Sequence, residues 1–192
     1  MWADAYPGTG CVLDLACASG CLNPLHSALS PLARSNNNHK PGSAVTPDDF
    51  IRKWRGVTQT ERASAQSHFV DLCRLLYLPD PIAADPLGEW YCFEKGASKA
   101  GGGDGWADVW RRCCFGWEYK RPGGNLKKAF GQLQNYTPAL EYPPLLIVSD
   151  IQVIRIHTAF TRLVPTTYLI ELEDLRDPAQ LNRLKWAFTD PE

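Results

Sequence analysis

Asp108, Glu118 and Lys120 are the residues of this chain whose types and spacing best suit work on a phosphodiester. Glu118 and Lys120 stand two apart, so on a strand both point to one face, while Phe115, Trp117 and Tyr119 point to the other. The second face can anchor the strand by apolar burial, and the first then carries a carboxylate and an amine inward. A short turn to an antiparallel neighbour can bring Asp108 beside Glu118. Two such carboxylates make a hard oxygen site for magnesium, as one ion or two, completed by water and substrate phosphate. Lys120 is placed to orient or deprotonate the attacking water, or to stabilise charge on the phosphate.

The elements that must position these residues can be read from periodicity. Thr46-Pro-Asp-Asp49 is a helix start, with Thr46 as cap, Pro47 in the first position and two acids on the dipole. Thr58-Gln-Thr-Glu61 has the form of a capping box, and the helix it opens is expected to run to about Tyr77. Ala65, Phe69, Leu72, Cys73 and Leu76 form its apolar stripe. From Trp90 the period becomes 2: Trp90–Glu94, Trp106–Arg111 and Phe115–Lys120 read as an antiparallel meander, its first two strands separated by Gly101–Gly105. Asn125 caps a second helix, with Leu126, Phe130, Leu133 and Leu140 on one side. Leu145–Val148 reads as a buried strand, followed by strands at Val153–His157 and Tyr168–Leu172. The expected fold class is therefore α/β (α+β), a mixed central sheet flanked by helices, in the order helix, three-strand meander, helix, strand.

At 192 residues and 44% apolar, the chain is long enough for one domain with a substantial core. Residues 1–45 are rich in Ser, Asn, Pro, Gly and Ala without periodicity and read as a loosely ordered leader, leaving 46–192 as the domain. No apolar run approaches the roughly 18 residues that span a bilayer, and the N-terminus lacks a basic signal region, so the expected location is cytoplasmic. Seven cysteines without a CxxC pair read as reduced thiols rather than a zinc site. The net charge of −1 excludes a generally basic coat, yet Arg111, Arg112, Lys120, Arg121, Lys127 and Lys128 face only Asp108 and Glu118 between Trp106 and Lys128. That local strip suits phosphate contact.

The triplet and its elements resemble the PD-(D/E)xK nuclease superfamily, in which the Asp ends the second strand and the ExK lies on the third. Gln132-Leu-Gln-Asn-Tyr136 is similar to the QxxxY motif of RecB-like members; the two residues lie one turn apart and can both face the site. The resemblance also puts Glu61, on the first helix, near the metals. The candidate metal set is thus Asp108, Glu118, Tyr119 and Glu61, with Gln132 and Tyr136 joining Asp108, Glu118 and Lys120 in the catalytic set. Glu94 is a possible carboxylate at the site edge; Lys127 and Lys128 can meet backbone phosphates. His68 and His157 read as structural histidines.

Four phrases carry a narrower resemblance: Gln66-Ser-His-Phe-Val-Asp-Leu-Cys73, Phe115-Gly-Trp-Glu-Tyr-Lys120, Pro143-Pro-Leu-Leu-Ile-Val-Ser-Asp150 and Ile154-Arg-Ile-His-Thr158. They are similar to the N-terminal nuclease domain of MmeI-like type IIL restriction–modification enzymes of bacteria. The resemblance implies magnesium-dependent cleavage of double-stranded DNA, by the restriction module of a fused or split DNA methyltransferase system. It also implies methyltransferase and target-recognition partners that this chain does not contain, with the domain truncated before the methyltransferase region. The alternative is a non-catalytic DNA-binding or scaffolding domain of a phage-defence methyltransferase. Val12–Gly20 resembles the glycine-rich cofactor loop of adenine-specific DNA methyltransferases, but no strand–helix context or Asn-Pro-Pro-aromatic motif accompanies it, so S-adenosylmethionine is not expected to bind.

Overall fold

A computed structural model describes residues 45–57, 61–98, 104–189 and 191. The expected leader, the Val12–Gly20 phrase, the cap at Thr58–Thr60 and most of the glycine-rich stretch fall outside them, as does the side chain of Glu61.

Helix α1, Pro47–Trp54, starts as its sequence dictates: the Thr46 hydroxyl accepts the Asp49 N–H at 3.2 Å. Its buried residues, Phe50, Ile51 and Trp54, face α2, Glu61–Leu75. The expected stripe of Ala65, Phe69, Leu72, Cys73 and Leu76 is buried throughout. A single turn, α3 (Pro81–Ala84), leads into the sheet.

Strands β1 (Tyr91–Ser98), β2 (Asp104–Arg111) and β3 (Phe115–Tyr119) form the antiparallel meander. Helix α4, Leu126–Tyr136, crosses to β4, Leu145–Ser149, which pairs parallel to β3. Strands β5 (Val153–Thr158) and β6 (Thr167–Glu171) complete a six-stranded sheet in sequential order. A 3-10 turn, Leu172–Arg176, and α5, Pro178–Thr189, close the described chain. The fold is thus mixed α+β, a six-stranded mixed sheet flanked by helices.

Two apolar clusters cover the sheet. One joins α1, α2 and α5 to Val109, Phe115, Trp117 and Tyr119. The other joins Leu126, Ala129, Leu133 and Tyr136 of α4 to Ala107, Trp110, Leu146 and Val148. Side chains along β3 therefore alternate as the sequence implies, the aromatic residues entering the first cluster. Gly116 faces α4 because the Leu140 side chain fills the place of a Cβ, which would lie 2.8 Å from its Cδ1. Helix α5 is not anticipated by the sequence reading; it is held by burial of Leu184, Ala187 and Phe188. The Cys113–Cys114 pair lies in the turn between β2 and β3, where Cys113 takes φ 58.

Candidate active site

Register brings the triplet together. The β2–β3 ladder pairs Arg111 with Phe115, Trp110 with Gly116 and Val109 with Trp117, and ends there. The next residues in that register are Asp108 and Glu118. The Tyr119 N–H donates to the Asp108 carboxylate at 2.6 Å, filling the gap that the ended ladder leaves. Asp108 therefore lies within β2, at the point where β2 leaves β3, and not at a strand end.

The Glu118 side chain is 5% exposed, and Lys120, 20% exposed, donates from Nζ to its Oε1 at 2.6 Å. Lys120 falls one residue past β3, where its N–H donates to the Ser149 carbonyl at 2.7 Å. Behind it, the Gly123 N–H donates to Asp150 at 3.0 Å, and Asp150 also accepts the Val153 N–H at 2.9 Å. Asp150 thus ties the loop after Lys120 to the end of β4. Asp150 has a local sequence signal, an Asp followed three residues later by the first residue of a strand.

Glu94 stands opposite Asp108 on β1. The β1–β2 register continues on both sides of this pair yet skips it, and Glu94 adopts φ 50 there, a left-handed conformation unusual for a residue with a Cβ. Facing directions along β2 shift at the same place: Val109 enters one apolar cluster and Ala107, two residues away, the other. The kink opens a narrow cleft lined by Ala65, Gln66, Phe93, Glu94, Asp108 and Val109.

Gln132 and Tyr136 do come together: Gln132 Nε2 donates to Tyr136 Oη at 3.0 Å. Tyr136 is buried, with its ring against the backbone of Gly105, where an added Cβ would overlap Oη. Placement of this kind holds β2, and with it Asp108, against α4.

The Tyr119 side chain points away from the triplet and meets His68, whose Nδ1 lies 2.9 Å from Tyr119 Oη. His68 packs edge-on to Phe50, Trp54 and Tyr119, and burial pulls its pKa down to about 3. Burial also pushes the Tyr119 phenol well above its ordinary range. Both are consistent with a neutral, structural pair. His157 stacks on Phe130 at 4.0 Å and bonds Thr167, equally as packing.

The basic strip divides into distinct roles. Arg111 is 3% exposed between Trp90 and Tyr91, whereas Arg112 is exposed and pairs with Glu141 at 2.9 Å. Arg121, Lys127 and Lys128 are exposed. Among the described residues, no group of three or more His, Cys, Asp or Glu is placed to hold a metal ion. Asp108 and Glu118 supply two carboxylates of the hard-oxygen type that magnesium takes. A second hollow of about 300 Å³, lined by Tyr168, Ala179, Arg183 and Trp186 against β6, contains none of the site residues.

No family model matches this chain, and no curated protein matches it. Among solved structures it is similar to a chain of the cryo-EM structure of a DrdV–DNA complex, with 16% identity and a TM-score of 0.47. The match covers 76% of this chain and 14% of that one. No helix among the described residues is long and apolar enough to cross a membrane.

Proposed function

We propose that this chain is a divalent-cation-dependent nuclease that hydrolyses the phosphodiester backbone of DNA. The observation that carries this reading is the convergence of Asp108, Glu118 and Lys120 where the β2–β3 ladder opens, one carboxylate bonded across the gap and the other buried. Burial of a carboxylate beside an amine costs solvation, and a fold without use for the pair would do as well with apolar residues there. Asp108 and Glu118 would hold the cation, with Glu61 and, since its phenol is turned toward His68, only the backbone carbonyl of Tyr119 as further candidates. When bound, magnesium supplies charge withdrawal from the phosphate and acidifies a water molecule. Lys120 orients that water or meets charge on the phosphate oxygens. Gln132 and Tyr136 position β2, and Lys127 and Lys128 neutralise flanking phosphates.

The finer form of the proposal is the restriction module of a fused or split type IIL system in bacteria, with methyltransferase and target recognition supplied elsewhere. The Lys120–Glu118 ion pair also suits the second reading, a non-catalytic DNA-binding domain, because loss of either partner alone would strand a buried charge. Supercoiled plasmid incubated with magnesium separates them. Magnesium-dependent nicking that Asp108→Asn removes supports the nuclease; DNA binding without nicking by the unaltered chain supports the second reading.

A further inference from the structure

We propose that the far half of the β1–β2 ribbon is a nucleic-acid contact arm, on which the Trp106 indole stacks against an unpaired base beside the scissile bond. This rests on the nuclease reading and adds to it a substrate class, DNA with locally single-stranded nucleotides.

The β1–β2 ladder runs from Tyr91–Arg111 to Ser98–Asp104, whereas β3 accompanies β2 only from Val109 onward. Lys95–Ser98 and Asp104–Ala107 therefore extend as two strands past the end of the β2–β3 ladder. Trp106 lies on this extension, two residues from Asp108, and is 61% exposed while Trp110 and Trp117 of the same sheet are buried.

The indole is held in place. Gly96 is its ladder partner, and a Cβ there would lie 2.8 Å from Trp106 Cζ3 and 3.3 Å from Cε3. The six-membered ring thus rests on the bare backbone of Gly96, an aromatic–glycine cross-strand pair that orders the ring without burying it. An exposed aromatic ring that has already lost its rotamer freedom is a ready stacking platform.

Surroundings point to a base rather than a protein. Protein-binding patches are contiguous and apolar, yet Trp106 is the one exposed large apolar side chain among the described residues from 91 to 140. Its place two residues from Asp108 puts the ring where the nuclease reading puts the substrate backbone, so a nucleotide base is the flat group brought to it. A paired base offers only its edges to the groove, because its faces are covered by neighbours. Stacking on an indole therefore requires a base that has left the duplex.

Fluorescence anisotropy of the full chain, in EDTA to prevent cleavage, tests this with a forked duplex carrying a single-stranded arm and a blunt duplex of the same paired sequence. Trp106→Ala should weaken fork binding by roughly 5- to 150-fold, the range of one base–aromatic stack, and leave blunt-duplex binding unchanged. Trp106→Leu fills the space over Gly96 without an aromatic face and should show the same selective loss, which covers the case of an alanine variant that folds poorly. Gly96→Ala, which displaces the ring, should fall between. Equal loss on both DNAs, no loss in either Trp106 variant, or no oligonucleotide binding by the unaltered chain would overturn the proposal, the last favouring a protein partner. Plasmid nicking, run in parallel, reports on the nuclease reading separately: fork selectivity without nicking sinks that reading alone, and nicking without fork selectivity sinks only this one.

Discussion

On the nuclease reading Asp108 carries two duties, and its variants should separate them. Its carboxylate accepts the Tyr119 N–H where the ladder ends. Asparagine keeps an oxygen acceptor and removes the charge, so Asp108→Asn should lower plasmid nicking at least about 100-fold with little change in melting temperature. Asp108→Ala should lose the same activity and also about 1 kcal/mol of stability, measured by urea unfolding. Lys120 is a different case, because its amine is held on a buried carboxylate. Lys120→Ala should abolish nicking and also destabilise by about 1–3 kcal/mol, through Glu118 losing that cation. His68 gives a pH signature. Its folded pKa of about 3 lies below the ordinary 6.5, so the unfolded chain takes up the proton first. Stability from the neutral ring is full above about pH 6.5 and falls as pH drops toward 3, by up to roughly 1.4 kcal/mol per unit. His68→Phe should therefore show a smaller fall in urea midpoint on acidification than the unaltered chain, and an equal fall would mean that the buried ring does not titrate in this way.

At the scale of elements, the contact between β2 and α4 decides where Asp108 stands. Tyr136 occupies the space that any side chain at residue 105 would need. Gly105→Ala should destabilise by about 1–3 kcal/mol, as overpacking in a filled site does, and should lower nicking beyond what the lost stability explains. Gly131 is the contrasting position in the same helix. A Cβ there meets nothing within 4 Å, so Gly131→Ala should stabilise by about 0.5–1 kcal/mol in chemical unfolding. The kink at Glu94 and Asp108 is an element-scale feature too, since it redirects β2 from one apolar cluster toward the other. Left-handed backbone at a residue with a Cβ costs of order 1 kcal/mol and persists when the surroundings over-determine it.

For the whole molecule, two apolar clusters against opposite sheet faces account for the burial of every described element that carries a site residue. A chain lacking residues 1–45, whose sequence has no periodic apolar pattern, should keep its melting temperature within a few degrees, as a thermal scan would show. If DNA is bound through exposed Arg121, Lys127 and Lys128, contacts to phosphate alone, unrelated duplexes should bind alike and affinity should fall steeply with salt in a filter or anisotropy titration. A defined cut site made by this chain alone would mean that it contains a base-reading element after all.

Several features were legible in one dimension. The helix start at Thr46, the buried stripe of α2, the meander, the cap at Asn125 and the buried β4 follow from periods of 3.6 and 2 and from local cap chemistry. That Asp108 meets the end of β3, where its carboxylate accepts the Tyr119 N–H, was also readable, because a short hairpin fixes register within a few residues. Other features depend on contacts between residues distant in sequence. Helix α5 is stabilised by Phe188 packing on Phe69 and Phe115, partners over 70 residues away. The burial of Arg111 depends on the ring pair Trp90–Tyr91, and exposed Arg112 is paired by Glu141, 29 residues away. Tyr136 holds Gly105 across a 31-residue separation, which no helical spacing encodes. Spacing along the chain thus determined the residue types and the face they share, while the depth of Glu118, the kink beside Asp108 and the placement of Trp106 over Gly96 were decided by tertiary packing, because burial and close approach are properties of whichever segments meet.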